Sequence, residues 1–534
     1  MDDLTILYNG RFYTIDPQRP VATAVAIRNG RVLAVGSDDD MAGLAGVIER
    51  VDLNGRCVTP GLVDAHVHFK NFAIARQRVN MDGCQSLAEV LARVQQRLEA
   101  DGPTAAWLQG WGWAQDQWVE RTFPTAALLD RLTGNRPAYL THKSGHAAWA
   151  NSRALQLAGI TEATADPPGG QIQRNQHGLP TGILFEEAMK LISVHIPPPT
   201  EAEIVAAMRQ AQAHCWQVGL TGIHDFDGRS CFTALQTLHQ NGELGLRVVK
   251  NIPVALLEEA IGVGLRSGFG DAWLRIGGIK IFADGALGPK TAAMVEPYEG
   301  EPDNRGIVVV DKEEMLQYAL RASAHDLSLT VHAIGDRANH DVLDVYEAVR
   351  QQEQANPRGQ TLRHRIEHVQ VLHPTDLQRL AQLNVIASMQ PIHATSDMEM
   401  ATRYWGERTR CSYAWRTMLD TGATLVFGSD APIEAIDPLP GLHAAVTRRR
   451  ADGSPGPDGW HPEQRLTVAE AVRAFTLAAA ETSGQTATQG SIAPGKLADL
   501  TLFSRDIFTM PPDELLTVEI VGTMVNGRFV HRTF

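Results

Sequence analysis

Thr59-Pro60-Gly61-Leu62-Val63-Asp64-Ala65-His66-Val67-His68 is an apolar, β-branched run that ends in two histidines one residue apart. On a strand, residues i and i+2 point to the same face, so His66 and His68 can present two imidazoles to one metal ion. An HxH pair alone is a weak sign, because most such pairs hold no ion. Its weight comes from the rest of the chain. Seven more strand-like runs end in or near polar residues: Gly222–Phe226 with His224 and Asp225, Leu246–Pro253, and Leu274–Ala283 with Lys280 inside and Asp284 after it. Leu327–Val331 leads to His332, Arg363–Ile366 to Glu367 and His368, Val385–Gln390 is the seventh run, and Thr424–Gly428 ends at Asp430. Amphipathic stretches separate several of them; Glu201–Val218 sets Ile204, Met208, Ala211 and Cys215 on one stripe. This alternation predicts an α/β fold, a (β/α)8 TIM barrel, whose chemistry sits at the C-terminal ends of the strands.

Two features exceed a plain barrel. The stretch from His68 to Gly222 is too long for one helix with its loops, which predicts an inserted subdomain after barrel strand 1, at about residues 71–200. Pro197-Pro198-Pro199 marks its exit, and five of the ten tryptophans (Trp107, Trp111, Trp113, Trp118 and Trp149) fall inside it. These suit an aromatic core and a pocket wall or lid equally well. At the chain ends, Ile6–Ile15, Val21–Val35, Asp499–Phe503 and Ile520–Val530 read as strands broken by Asn-Gly turns. Residues 1–57 and 487–534 are therefore expected to form one small β-sandwich domain, leaving 58–486 as the barrel.

Composition narrows the function. With 534 residues, 44% apolar and 20% charged, the chain can bury a large core and is neither disordered nor a coiled coil. A net charge of −13 argues against a nucleic-acid partner. Five scattered cysteines read as reduced thiols. The start carries no basic-then-apolar leader, and no stretch reaches ~18 apolar residues, so no membrane association and a cytoplasmic setting are expected. Gly169-Gly170 and Gly61 read as turn glycines, and Arg448-Arg449-Arg450 as a solvated helix end.

His66, His68, His332, His368 and Asp430 together suit a divalent ion such as zinc, and four histidines with an aspartate at strand ends are hard to explain as packing. These motifs, with Gly428-Ser429-Asp430-Ala431-Pro432 and Gly490-Ser491-Ile492-Ala493-Pro494-Gly495-Lys496-Leu497-Ala498-Asp499-Leu500, resemble the metal-dependent amidohydrolase superfamily. Lys280-Ile281-Phe282-Ala283-Asp284-Gly285-Ala286-Leu287-Gly288, His332-Ala333-Ile334-Gly335-Asp336, Ser144-Gly145-His146 with Asn151-Ser152, and Pro180-Thr181-Gly182 resemble its YtcJ-like branch, which includes N-substituted formamide deformylases.

The resemblance implies that His66, His68 and Asp430 hold one metal, and that His332 and His368 hold a second or support the first. Lys280 matches a strand-four lysine that binuclear members carboxylate to bridge two ions; the alternative is a lysine paired with Asp284 or Asp225. The implied reaction is hydrolysis of a C–N amide bond in an N-acyl or N-formyl amine by metal-activated hydroxide. Asp430 would be general base and then acid, with a second metal, or His332 and His368, polarising the carbonyl. His146, Trp113 and Asp284 are the candidate substrate contacts, although His146 reads equally as a surface residue and Trp113 as core. The tryptophans favour a small-molecule amide with an apolar or aromatic group, and they leave a homodimer open. Esters, carbamates, lactones and cyclic amides are alternatives that use the same chemistry. A superfamily deaminase is disfavoured because Gly335 stands three residues after His332, where such enzymes place Glu. A non-catalytic scaffold on the same barrel is disfavoured by the intact ligand set.

Overall fold

The computed structural model describes residues 4–44, 46–101, 107–355 and 362–534. It divides into two compact units, Ala73–Ala207 and the remainder.

The larger unit contains a sheet of eight strands in chain order. They are β1 (Leu62–Val67), β2 (Leu220–Asp225), β3 (Arg247–Pro253), β4 (Leu274–Phe282), β5 (Ser328–Ala333), β6 (Arg365–His368), β7 (Ile386–Met389) and β8 (Leu425–Phe427). Every neighbouring pair is parallel. The ends of β8 and β1 meet: the Asp430 N–H donates to the His66 carbonyl at 2.7 Å, and the His68 N–H to the Ala431 carbonyl at 2.8 Å. The sheet is thus a TIM barrel, with Ile, Val and Leu packed on both faces as parallel strands under helices require.

The run Thr59–His68 belongs to two strands. Cys57–Pro60 pairs antiparallel with Leu500–Phe503 and parallel with Arg11–Tyr13, whereas β1 begins only at Leu62. Gly61 is the joint. A Cβ there would lie 2.2 Å from Thr221 Oγ1, so only glycine lets the chain pass β2 this closely. The barrel strand consequently runs on to Val67 and carries His66 to the mouth.

The chain ends form two further sheets, the first from both ends and the second from the N-terminal end alone. One has six strands, in the order Arg528–Arg532, Ile520–Val525, Leu500–Phe503, Cys57–Pro60, Arg11–Tyr13 and Val21–Ala22. The other has Arg31–Gly36, Ala24–Arg28, Leu4–Tyr8 and Val47–Asp52. Phe12, Val25, Ile27, Val58, Leu500 and Met524 share one core between them. Asn9 and Asn29, at φ 52° and 50°, make the turns that break the long expected strands.

The smaller unit has its own six-stranded sheet and aromatic core. Trp113, Trp118 and Trp149 are fully buried, and the Trp113 indole N–H donates to the Leu140 carbonyl at 2.9 Å. Trp113 is therefore a core residue with its polar atom satisfied, and the expectation that it contacts substrate is corrected. Arg448 is a second correction. It caps the helix Pro438–Thr447 at φ 58°, is fully buried, and lies over the rings of Trp415 and Trp460 at 4.3 and 5.2 Å. Its guanidinium donates to the carbonyls of Trp460 and Tyr413, so a positive charge is spent on backbone acceptors instead of water. All five cysteines are free thiols. Among the described residues no helix is long and apolar enough to cross a membrane.

Candidate metal centre

Four histidines gather at the C-terminal ends of β1, β5 and β6, and each has one ring nitrogen held by an oxygen acceptor. His66 Nδ1 meets Glu367 Oε2 at 2.6 Å, and His68 Nδ1 meets Asp227 Oδ1 at 3.2 Å. His332 Nε2 meets the Gly285 carbonyl at 2.8 Å, and His368 Nδ1 meets Gln390 Oε1 at 2.9 Å. Carbonyl and carboxylate oxygens accept, so the bound nitrogen carries the proton and the opposite one offers a lone pair. Burial pushes His66 and His368 well below the usual imidazole range, and His332 to about 3, which keeps those lone pairs free of protons. At His68 burial also pulls downward, but Asp227 and Asp430 outweigh it and its pKa is raised.

Asp430 stands among these rings. Its Oδ1 is 3.5 Å from His68 Nε2 and 3.6 Å from His66 Nε2. Those gaps exceed a hydrogen bond, yet they match the ~3.3–3.6 Å between ligands set ~2.0–2.2 Å from a tetrahedral ion. Ligand atoms of His66, His368 and Asp430 all lie within 4.8 Å of one another. His368 and Asp430 have left-handed backbones, φ 75° and 63°, at the points where β6 ends and the chain leaves β8. Such strain in non-glycine residues persists only where surrounding structure enforces it. It also explains how Glu367 and His368, adjacent on one strand, both reach the same centre.

Lys280 lies on β4, 3% exposed, with Nζ 4.7 and 4.6 Å from the ring centroids of Phe226 and Phe282. Among the described residues it has no carboxylate within 4 Å. The two acids named as its alternatives are taken: Asp225 is bound to Lys250 at 2.7 Å, and Asp284 accepts the backbone N–H groups of Ala293, Ile334 and Gly335. Burial lowers the Lys280 pKa to about 8, against the pull of Glu367 and Asp430. Burial raises Asp430 to about 7, against His68 and Lys280.

Of the expected substrate contacts, Asp284 is 2% exposed, accepts three backbone N–H groups and stands 3.5 Å from His332 Nε2. His146 is exposed on the smaller unit beside Glu186. Asp336, the first acid after His332, is buried and accepts the Val295 N–H at 2.8 Å.

Sequence reasoning missed Glu367, Arg365, Asp227, Gln390 and His393. Arg365 donates to Glu367, to the Ala65 carbonyl and to Ser388, and so fixes the carboxylate that orients His66. His393 opens the helix Pro391–Trp405 after β7 and is 7% exposed. Its Nε2 has no hydrogen-bond partner and stands 3.9 Å from Asp430 Oδ2. The stretch Met389-Gln390-Pro391-Ile392-His393 at a strand end was the available signal.

The family described as "Amidohydrolase family" matches residues 49–531. The chain belongs to the amidohydrolase family. Within it, the putative amidohydrolase YtcJ of Bacillus subtilis is 32% identical, with 98% of this chain and 99% of that protein covered. The N-substituted formamide deformylase of Arthrobacter pascens is 30% identical over 99% of this chain and 98% of its own length. The Arabidopsis thaliana protein LONG AFTER FAR-RED 3 is 32% identical over 98% of this chain and 91% of its own. A solved structure, an uncharacterized metal-dependent hydrolase from Pyrococcus horikoshii, superposes with a TM-score of 0.76 at 26% identity, covering 96% of this chain and 99% of that one. The chain is thus a YtcJ-like amidohydrolase, and the family together with its metal-dependent hydrolase neighbours supports a hydrolase acting on a small molecule.

Proposed function

We propose that this chain is a metal-dependent hydrolase that cleaves the C–N bond of an N-acyl or N-formyl amine, with Asp430 moving the proton. The observation that carries this reading is the position of Asp430 Oδ1, 3.5 and 3.6 Å from two imidazole nitrogens that are free to accept an ion but not hydrogen-bonded to it. The donor set of imidazole nitrogen and carboxylate oxygen, buried and with tautomers set by outer partners, fits a divalent ion such as zinc. His66, His68 and Asp430 would hold one ion. His332 and His368 would hold a second or support the first, using His332 Nδ1 and His368 Nε2. When bound, such an ion supplies Lewis acidity, lowering the pKa of water from ~15.7 toward ~7 and polarising a carbonyl.

The chain's own residues supply the rest. Burial lowers the Lys280 amine to a pKa of about 8, so part of it is neutral; that amine would add carbon dioxide by forming a C–N bond and releasing one proton to solvent, and the carbamate oxygen would then serve as a ligand. Asp430 accepts the proton from the attacking water and returns it to the departing nitrogen as the amide bond breaks. Gln370 Nε2 donates to His393 Nδ1 at 3.3 Å, so His393 Nε2 carries a hydrogen that can donate to the oxyanion of the tetrahedral intermediate. On this reading His393→Ala costs about 10²–10³ in kcat. The formamide deformylase among the relatives favours a small acyl group.

The test is amine release, read by mass spectrometry, from amides that share one aromatic amine and differ only in the acyl group from formyl upward. Release that a chelator abolishes is expected. If no amide turns over in metal-replete protein, the amide reading fails, and esters, cyclic amides and aminated rings become the substrates to examine.

A further inference from the structure

A cavity of ≈ 330 Å³ opens to the surface around the starts of β4, β5 and β6, and its lining includes Arg275, Arg363, Arg365 and His224 but no aspartate or glutamate. The side chains of half-buried Arg275 and exposed Arg363 have no ion pair or hydrogen bond to any described residue. Several other arginines of this unit are paired: Arg247 with Asp499 at 2.5 Å, Arg350 with Glu353 at 2.6 Å, Arg379 with Asp344 at 2.8 Å and Arg416 with Glu470 at 2.5 Å. In a chain with 61 acidic and 48 basic residues, two neighbouring guanidiniums without a carboxylate are not a shortage of acids.

The two side chains rest on bare backbone. A Cβ at Gly268 would come within 3.4 Å of Arg275 Nη2, and one at Gly484 within 2.9 Å of Arg363 Nη1. Arg275 Nε is buried with no acceptor, a condition that native interiors relieve with water or an ion. Burial and the neighbouring Arg363 both push the Arg275 pKa down, so the two charges repel.

Arg365 is already spent on Ala65, Glu367 and Ser388 and adds charge without a free donor. Its Nη1 lies 3.0 Å from His224 Nδ1 and donates to it, which leaves the proton of that ring on Nε2 as a further donor lining the cavity. The acids of the adjoining cleft are engaged elsewhere, Asp499 with Arg247 and Asp271 with His239.

We propose that this cavity is an anion site for a phosphate group, held by the guanidiniums of Arg275 and Arg363 with His224 as a third donor. Guanidinium forks match the oxygens of a phosphate, and the volume leaves room for a small organic body on it. None of the three donors is a candidate metal ligand, although Arg365 joins His224 to Glu367, and the site does not depend on the proposed reaction.

Isothermal titration calorimetry of the full-length protein with inorganic phosphate and with glycerol 3-phosphate, at ionic strength held constant with sodium chloride, tests this. Saturable binding is expected in the wild type, weakened about tenfold by Arg363→Gln and abolished in Arg275→Gln/Arg363→Gln. Equal or tighter binding of inorganic phosphate would make the free ion the ligand; tighter binding of glycerol 3-phosphate would make it the phosphoryl group of a small metabolite. Without anion, the double variant is expected to unfold at a higher temperature than the wild type, because a repulsion has been removed. Absence of binding by either probe, or binding undiminished in Arg363→Gln, overturns the proposal.

Discussion

Two buried clusters in the same barrel use the same ingredients and end in opposite states. Asp225, Asp227 and Cys231 lie close enough to hold a cation, but Lys250 already provides one. Its ammonium pairs with Asp225 at 2.7 Å and donates to the carbonyls of Asn251 and Asp227, while Asp225 also accepts the Phe69 N–H. At His66, His368 and Asp430 no such closure exists: Lys280 faces aromatic rings, and Asp430 stands between imidazoles that it does not hydrogen-bond. A buried charge without a partner costs several kcal/mol, so it survives only where something is gained. The closed cluster holds the barrel together, and the open one is available for a metal and for chemistry.

The contrast breaks most visibly at Asp430. Asp430→Asn is expected to lower turnover by about 10³-fold or more while the protein stays folded, because the amide keeps the shape but cannot carry the proton. Near-normal turnover would remove Asp430 from its role.

The two lysines should respond in opposite ways. Lys250→Met leaves Asp225 unpaired and is expected to cost about 3–5 kcal/mol in denaturant unfolding while bound metal per folded chain stays constant. Lys280→Ala is expected to keep the fold, lose metal and activity, and recover part of the activity with a small added carboxylic acid. Equal destabilisation by both substitutions would erase the distinction between the clusters.

Glu367→Gln is expected to weaken metal affinity by about 10–100-fold, since it loosens the group that orients His66. Equilibrium dialysis against competing chelators reads that change directly.

The smallest effect sharpens the comparison from the surface. Glu470 sits in a capping box with Thr467 and pairs with Arg416, whose hydrogen bond lowers its pKa from 4.5 to about 2. Its folded-state pKa is depressed, so its stabilisation is full above about pH 4.5 and is lost as pH falls toward 2. Because the pair is only partly buried and reached by solvent, Glu470→Gln is expected to cost only about 1 kcal/mol at pH 7, and less at pH 3.

Much of this was legible in the chain itself. The eight strands could be read because β-branched runs end at chemically distinctive residues, and the family motifs sit on those ends. What escaped depends on pairings across the fold. Glu367 meets His66 from 301 residues away, and nothing beside it announces that contact. Lys250 and Lys280 both lie in apolar runs, and only the coordinates tell which of them takes Asp225. Trp113 and Arg448 misled for a related reason: an indole fits a core and a pocket alike, and an arginine run looks solvated until Trp415 and Trp460 are seen around Arg448. The early end of Cys57–Pro60 rests on Gly61 and its contact with Thr221, which local pattern does not reveal.

The most direct test of the open cluster is the metal content of the purified protein by inductively coupled plasma mass spectrometry, for the wild type, Asp430→Asn and Lys250→Met. One or two equivalents of a divalent ion are expected in the wild type and in folded Lys250→Met, and less than one in Asp430→Asn. A folded wild type that takes up no divalent metal on reconstitution, or an Asp430→Asn protein that keeps a full complement, would contradict the assignment.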